Sequence, residues 1–141
     1  MPPGNLHVTL AFLGSRPGSD LGPVAGALRD AAGRAQRPEL EVRGYRETRN
    51  VGMLVCDDRD GRAGSLADDL FGVLEALGVY ERERRPWLPH VTVTRFRKPL
   101  GLDPDLPAVE PFSPSDAAVY LSRLHPSGAQ YEVLESFGLG G

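Results

Sequence analysis

The sequence of 141 residues is poor in the features that define several protein classes. Its one cysteine, Cys56, excludes an internal disulfide framework and a zinc site built from several cysteines. No apolar run approaches the roughly 18–20 residues that cross a bilayer, and no secretory signal begins the chain, so we expect no membrane partner. The length predicts one domain, and the scarcity of cysteine favours a reducing, cytoplasmic compartment.

Sequence motifs that bind nucleotide cofactors are also missing, since there is neither a glycine-rich dinucleotide fingerprint nor a Walker loop. The formal net charge of −3 argues against a protein that coats long nucleic acid by bulk electrostatics. The cations are concentrated, however: residues 80–98 hold six positive side chains against two negative ones. This segment suits a ligand with a few phosphates, and a solvated arginine-rich loop is the alternative.

The apolar pattern predicts two helices and six strands. Spacings of three and four between apolar residues indicate helices over residues 20–35 and 65–77, the second beginning at Ser65. Runs rich in β-branched and aromatic residues indicate strands over residues 7–14, 39–47, 51–57, 90–96, 117–124 and 129–137. Hairpin-length links join the middle pair and the last pair, which predicts an α+β protein and not a doubly wound parallel sheet.

The most informative feature is a repeat: HVTL at residues 7–10 (the first motif) and HVTV at residues 90–93 (the second motif). Residues i and i+2 of a strand share a face, so His7 and Thr9 are expected side by side. Val8, Leu10 and Phe12 are then expected to point into a core.

The second motif repeats this arrangement, with His90, Thr92 and Thr94 expected on one face. If the two motifs faced each other, a neutral imidazole could take a proton from water while a protonated one gave a proton to a leaving oxygen. Threonine hydroxyls and an arginine could bind the other phosphate oxygens. The pair therefore suits phosphodiester cleavage without a metal.

Plainer interpretations apply to each residue singly. A lone histidine on a strand is more often structural than catalytic, and a metal site lacks an evident third ligand. His125, in a Pro-Ser-Gly turn, is interpreted as structural or exposed, and Cys56 as a small buried residue. Trp87 is expected to pack beneath the second motif, with stacking on a base as the alternative.

Three segments carry a family resemblance: NLHVTLAFLG at residues 5–14, RPWLPHVTV at residues 85–93 followed by Arg95, and SRLHPSGAQY at residues 122–131. On these, the chain resembles the two-histidine phosphoesterase superfamily, and within it the RNA 2′,3′-cyclic phosphodiesterases, once described as 2′-5′ RNA ligases. The resemblance implies a bilobal, pseudo-symmetric α+β fold, with antiparallel sheets lining a central cleft and helices outside. Residues 1–141 would form one such bilobal domain.

The resemblance also implies a reaction, the hydrolysis of an RNA 2′,3′-cyclic phosphodiester to a 2′-phosphomonoester with no cofactor and no metal. His7 would be the proton donor and His90 the proton acceptor, while Thr9 and Thr92 match phosphate-binding hydroxyls. The implied partners are RNA ends or small cyclic-phosphate nucleotides, and the expected state is a cytoplasmic monomer.

The resemblance assigns two further residues whose strand parity points away from the site. Arg95 matches a pocket arginine, but strict strand alternation turns it away from His90, so a bulge or a long reach around the strand end is required. Phe12 is a candidate wall of the pocket, although its parity also points into the core.

The chain departs from the family at its front, where members carry a further strand and helix. Only six residues precede His7, so we expect an exposed sheet edge and hypothesise that Met1 is an internal start. Two other functions stay open: a module that binds a terminal phosphate without turnover, and a related enzyme acting on 2′,5′-linked oligonucleotides, in hydrolysis or ligation, or on a cyclic ADP-ribose phosphate.

Overall fold

The computed structural model describes residues 6–106, 110–126 and 128–140. These residues form two α-helices and five strands, preceded by a short 3₁₀ turn at Gly18–Asp20. Their order is α1 (Leu21–Arg34), β1 (Leu40–Glu47), β2 (Val51–Asp58), α2 (Arg62–Ala76), β3 (His90–Arg95), β4 (Asp116–His125) and β5 (Gly128–Gly138). Residues 2–5, predicted as part of a loop, and Ser127 of the predicted turn lie outside the described residues.

The strands form two antiparallel sheets. In the first sheet β2 lies between β1 and β3, and the second sheet is the hairpin of β4 and β5. Two helices with two antiparallel sheets confirm the predicted α+β class. Neither described helix combines the length and the apolar character that a membrane span requires.

Two apolar clusters hold these elements together. The larger one is formed by buried residues of both helices and by Leu139, just after β5, and partly buried residues of the second sheet pack against it: Ala117, Val119 and Phe137. The smaller one joins Leu40, Cys56 and Ala63 on the first sheet and α2. Cys56 is 1% exposed, as predicted, and its burial raises the pKa of the thiol.

Helix α2 begins at Arg62, three residues before the predicted start at Ser65. The cause is the carboxylate of Asp58 at the end of β2, which accepts hydrogen bonds from the backbone N–H groups of Ala63 (3.1 Å) and Gly64 (2.7 Å). These are unpaired donors of the first helical turn. The capping group therefore comes from the preceding strand and not from Ser65.

The strand predicted over residues 7–14 is wrong. Within it the structure has one isolated antiparallel bridge, between Val8 and Val91 of β3. Further along, the chain leaves the sheet, and its apolar side chains pack on the helical cluster instead: Leu10, Ala11 and Leu13. Phe12 is 78% exposed, so its predicted position in a core is wrong as well. These side chains are therefore buried against the helices, and the segment does not continue as a strand paired with β3.

Candidate active site

The second motif lies at the edge of the first sheet, on β3. His90 pairs with Val55 of β2, and Thr92 pairs with Met53. Because Val55 and Met53 are two residues apart, their side chains and those of their partners lie on one face of the sheet. The structure therefore brings His90 and Thr92 together on what we call the motif face.

A β-bulge in β3 changes the alternation beyond Thr92. The pairing register skips Val93, and Arg95 pairs with Val51 of β2. Val51 is two residues from Met53, so it shares the motif face, and Arg95 comes to that face with it. Arg95 was expected to lie on the same side as His90 only if the strand contained a bulge, and the structure has that bulge.

The same bulge makes the prediction for Thr94 wrong. Thr94 pairs with Gly52, whose neighbours in β2 belong to the motif face, so Thr94 lies on the opposite face. Its Cγ2 atom would lie 2.8 Å from a β-carbon placed at Gly52, and the Tyr45 hydroxyl covers the same spot. Alternation without the bulge would have kept Thr94 beside Thr92.

The bridge at Val8 sets the first motif beside the second. In an antiparallel pair the two segments run in opposite directions, so the residues next to the Val8–Val91 bridge face each other. His7 is then opposite Thr92, and Thr9 is opposite His90. The four chemistry-bearing side chains of the two motifs thus occupy neighbouring positions, although they are far apart in the sequence.

The face on which His7 lies follows from the packing of Val8. Val8 packs against the apolar cluster that contains Leu40 and Cys56. The residues on either side of it point the other way, toward the motif face. His7 and His90 are then diagonal neighbours, whose spacing in antiparallel sheets is roughly 7–8 Å between backbone positions.

The imidazole of His7 lies against the second sheet. Its ring centroid is 4.9 Å from that of Tyr131, which meets it edge-on, and 5.8 Å from that of Tyr120, which stacks on it at 28°. Tyr131 pairs with Ser122, two residues from Tyr120, so both tyrosines lie on one face of the hairpin. His7 therefore lies between the two sheets.

Sequence reasoning did not single out either tyrosine as a site residue. Tyr131 is the last residue of the third segment that carries the family resemblance, and that segment could have pointed to it. Tyr120 carried none, because its approach to His7 depends on how the hairpin packs against the rest of the molecule.

Backbone carbonyls orient two side chains around the second motif. The Nδ1 atom of the half-buried His90 lies 2.9 Å from the Leu88 carbonyl oxygen. A carbonyl can only accept, so Nδ1 carries the proton and Nε2 keeps its lone pair in the neutral ring. The indole of Trp87 donates to the Thr9 carbonyl at 3.1 Å and packs against the smaller cluster, as predicted.

Arg95 reaches from the first sheet to the second. Its Nη2 donates to the Tyr131 hydroxyl at 3.5 Å. Phe12, which the structure leaves exposed, keeps its proposed role as a pocket wall only as a hypothesis. Among the described residues no group of three or more His, Cys, Asp or Glu side chains is placed to hold a metal ion.

A surface cavity of about 320 Å³ lies elsewhere, lined by residues that include Arg37, Arg62 and Phe112. Both arginines are engaged with backbone carbonyls: Arg37 donates to those of Ser113 and Pro114, and Arg62 to that of Arg37. Neither sequence motif reaches this cavity, so the motif face is the stronger candidate for chemistry.

The sequence and the fold both have known relatives. The chain is 32% identical, over its full length and 75% of the relative, to an RNA 2′,3′-cyclic phosphodiesterase of Thermus thermophilus. It belongs to this family, within the two-histidine phosphoesterase superfamily. A crystal structure of TT0787 from the same bacterium matches it with a TM-score of 0.81 and 29% identity, over the whole of this chain and 81% of that one. No family model matches the sequence.

A further solved structure shows the same fold at lower identity. LigT of E. coli, crystallised with 3′-AMP, matches with a TM-score of 0.73 and 23% identity, over 98% of this chain and 79% of LigT. The family relationship and the shared fold support phosphoesterase activity.

Proposed function

We propose that this protein hydrolyses the 2′,3′-cyclic phosphodiester of an RNA end, or of a small nucleotide, to a 2′-phosphomonoester. The observation that carries the proposal is the Val8–Val91 bridge, which aligns the two motifs on one face. The relationship to the RNA 2′,3′-cyclic phosphodiesterase of Thermus thermophilus supports this choice of substrate. The two sheets would act as lobes of one domain, with the substrate phosphate bound between them.

In the proposed reaction His90 is the general base. Its neutral ring donates Nδ1–H to the Leu88 carbonyl, so Nε2 is available to take a proton from water. The water oxygen attacks phosphorus in line with the bond from phosphorus to the 3′ oxygen. That bond breaks as the new one forms, and the 2′ oxygen keeps the phosphate.

His7 is the general acid in this proposal. Its protonated imidazole gives a proton to the departing 3′ oxygen, and solvent later returns a proton to His7 and takes one from His90. Thr9 and Thr92 donate hydrogen bonds to the non-bridging oxygens, and Arg95 stabilises the charge that builds on them. These residues supply acid, base and charge stabilisation without a metal ion.

The test is the turnover of a nucleoside 2′,3′-cyclic phosphate, with the products separated by chromatography. General acid–base groups typically contribute about 10²–10⁴-fold, so His7→Ala and His90→Ala should each lower kcat by roughly that factor. Both should keep the circular dichroism spectrum of the wild type. His125→Ala, at the hairpin turn, is the matched control and should keep full activity.

Two outcomes would contradict the proposal. Full activity in either variant of the motif histidines would exclude the assigned roles. Tight binding of the cyclic phosphate with no product after long incubation would favour a binding module instead.

A further inference from the structure

Tyr131 touches two of the proposed site residues from the opposite sheet. Its ring meets the His7 imidazole edge-on at 4.9 Å, and its hydroxyl accepts a hydrogen bond from Arg95 Nη2 at 3.5 Å. His7 and Arg95 come from different segments of the chain, the first before α1 and the second at the end of β3. Tyr131 lies on β5, so one side chain connects three separate segments.

Arg95 needs such a contact if it is to act on a phosphate. It is exposed at the last position of β3, just after the bulge, and within the described part of the chain it forms no ion pair with a carboxylate. A long exposed side chain samples many rotamers, and ordering it on binding costs conformational entropy. A hydroxyl that accepts one of its five N–H donors restricts the guanidinium and leaves the remaining donors for an anion.

His7 is held by rings on two sides. Tyr120 stacks against its face at 5.8 Å and Tyr131 meets it edge-on, which restricts rotation of the imidazole about its side-chain torsions. A general acid must present its N–H toward the leaving oxygen, so an imidazole fixed in this way is partly oriented before substrate binds.

We propose that Tyr131 is a positioning residue, whose hydroxyl orients Arg95 and whose ring orients His7 across the gap between the two sheets. This inference rests on the proposed function, because it assigns Tyr131 a part in the same site. The hydroxyl and the ring of Tyr131 have separate effects in this proposal, the first on Arg95 and the second on His7.

Tyr131→Phe removes the hydroxyl and keeps the ring. It should lower kcat/KM for the cyclic nucleotide, and raise the dissociation constant for adenosine 2′-monophosphate, by roughly three- to ten-fold, the value of one hydrogen bond. The matched control is Tyr45→Phe, which removes a hydroxyl bonded to Glu47 on the opposite face of the first sheet. It should leave both constants unchanged.

A double-mutant cycle makes this test specific. In an Arg95→Ala background, Tyr131→Phe should no longer weaken the binding of adenosine 2′-monophosphate, because the hydroxyl acts through the guanidinium. Equal weakening in both backgrounds, or none in either, would overturn the assignment of the hydroxyl.

The ring is tested by NMR of the His7 imidazole protons, which requires no turnover. Tyr131→Leu should change their ring-current shifts and lower kcat by more than Tyr131→Phe does, whereas Tyr131→Phe should leave the shifts unchanged. Unchanged His7 shifts in a folded Tyr131→Leu protein would overturn the role of the ring. A wild type that binds the monophosphate with the expected coupling but never turns over the cyclic phosphate would refute the proposed function and leave this inference standing.

Discussion

The Nδ1 atom of His90 and the carbonyl oxygen of Leu88 lie 2.9 Å apart, although only one residue separates them in the chain. The contact selects one tautomer of the neutral ring and directs the lone pair of Nε2 away from the backbone. A proline on each side of the Trp87-Leu88 pair restricts the backbone that provides this carbonyl. The imidazole of His90 is therefore oriented by its own segment, as its proposed role of general base requires.

The first prediction concerns the pH dependence. A neutral base and a protonated acid give a bell-shaped profile of kcat/KM, with an ascending limb from His90 and a descending limb from His7. The residual activity of His7→Gln should lose the descending limb, and that of His90→Gln should lose the ascending one. Initial rates across pH 4–10 in each variant check this assignment, and loss of the opposite limb in each would reverse the two roles.

The second prediction concerns metals. The proposed reaction draws its acid, its base and its charge stabilisation from side chains, so prolonged dialysis against EDTA should leave kcat and KM within about two-fold of the untreated protein. Initial rates before and after dialysis provide the measurement. Activity that falls on chelation and returns with a divalent cation would count against the mechanism.

The third prediction uses two threonines of the same strand. Thr92→Val removes a hydroxyl from the motif face and should lower kcat/KM by roughly ten- to a hundred-fold, as expected for a hydrogen bond to a charged oxygen. Thr94→Val makes the same change on the opposite face and should stay within about two-fold of the wild type. Equal losses in both would show that the effect is structural.

The fourth prediction concerns the packing beside the bulge. A β-carbon at Gly52 would meet the Tyr45 hydroxyl and lie 2.8 Å from Cγ2 of Thr94, so Gly52→Ala should destabilise the fold by about 1–3 kcal/mol. Gly72→Ala is the control, because that glycine is exposed in α2 with only the end of Arg82 nearby. It should stabilise the protein by about 0.5–1 kcal/mol. Urea denaturation measures both.

The fifth prediction concerns Glu47, which ties the segment after β3 to the end of β1. Its carboxylate accepts hydrogen bonds from the backbone N–H groups of Gly101 (2.8 Å) and Leu102 (3.0 Å) and from the Tyr45 hydroxyl. Burial alone would raise the pKa of Glu47, but these hydrogen bonds together lower it below its ordinary value.

A lowered pKa in the folded state gives stability that is present above the ordinary pKa and is lost as the pH falls through the folded one. Glu47→Gln should therefore lower Tm at pH 7, and the difference from the wild type should shrink below about pH 4. Thermal unfolding at several pH values checks this. Glu135→Gln, an exposed control on β5, should shift Tm little at any pH.

Local patterns in the sequence account for most of the secondary structure. The helices and the five strands follow apolar periodicity and turn residues, which act over a few positions. The segment at residues 7–14 was different, because its side chains had two possible partners, a strand edge and the helical cluster. Which one prevails depends on contacts far away in the chain, and those contacts left only Val8 in the sheet.

The same distinction applies to the candidate site. The repeated His-Val-Thr pattern led directly to His7 and His90 as candidates, because a repeat is visible in the sequence without knowledge of the fold. The positions of Thr94 and Arg95 depend on a bulge that arises from the pairing of β3 with β2, so alternation alone misplaced one and left the other open. Tyr120 and Tyr131 reach His7 only through the packing of a hairpin formed late in the chain.

Trp87 is the sole tryptophan of the sequence, and its indole N–H is bonded to the Thr9 carbonyl. Its intrinsic fluorescence consequently reports on whether the segment that carries the first motif is packed against the segment that leads into the second motif. Emission near that of a buried indole marks the seated state, and a red shift marks its release into water. A spectrometer can thus follow the assembly of the two motifs in real time, without any added label.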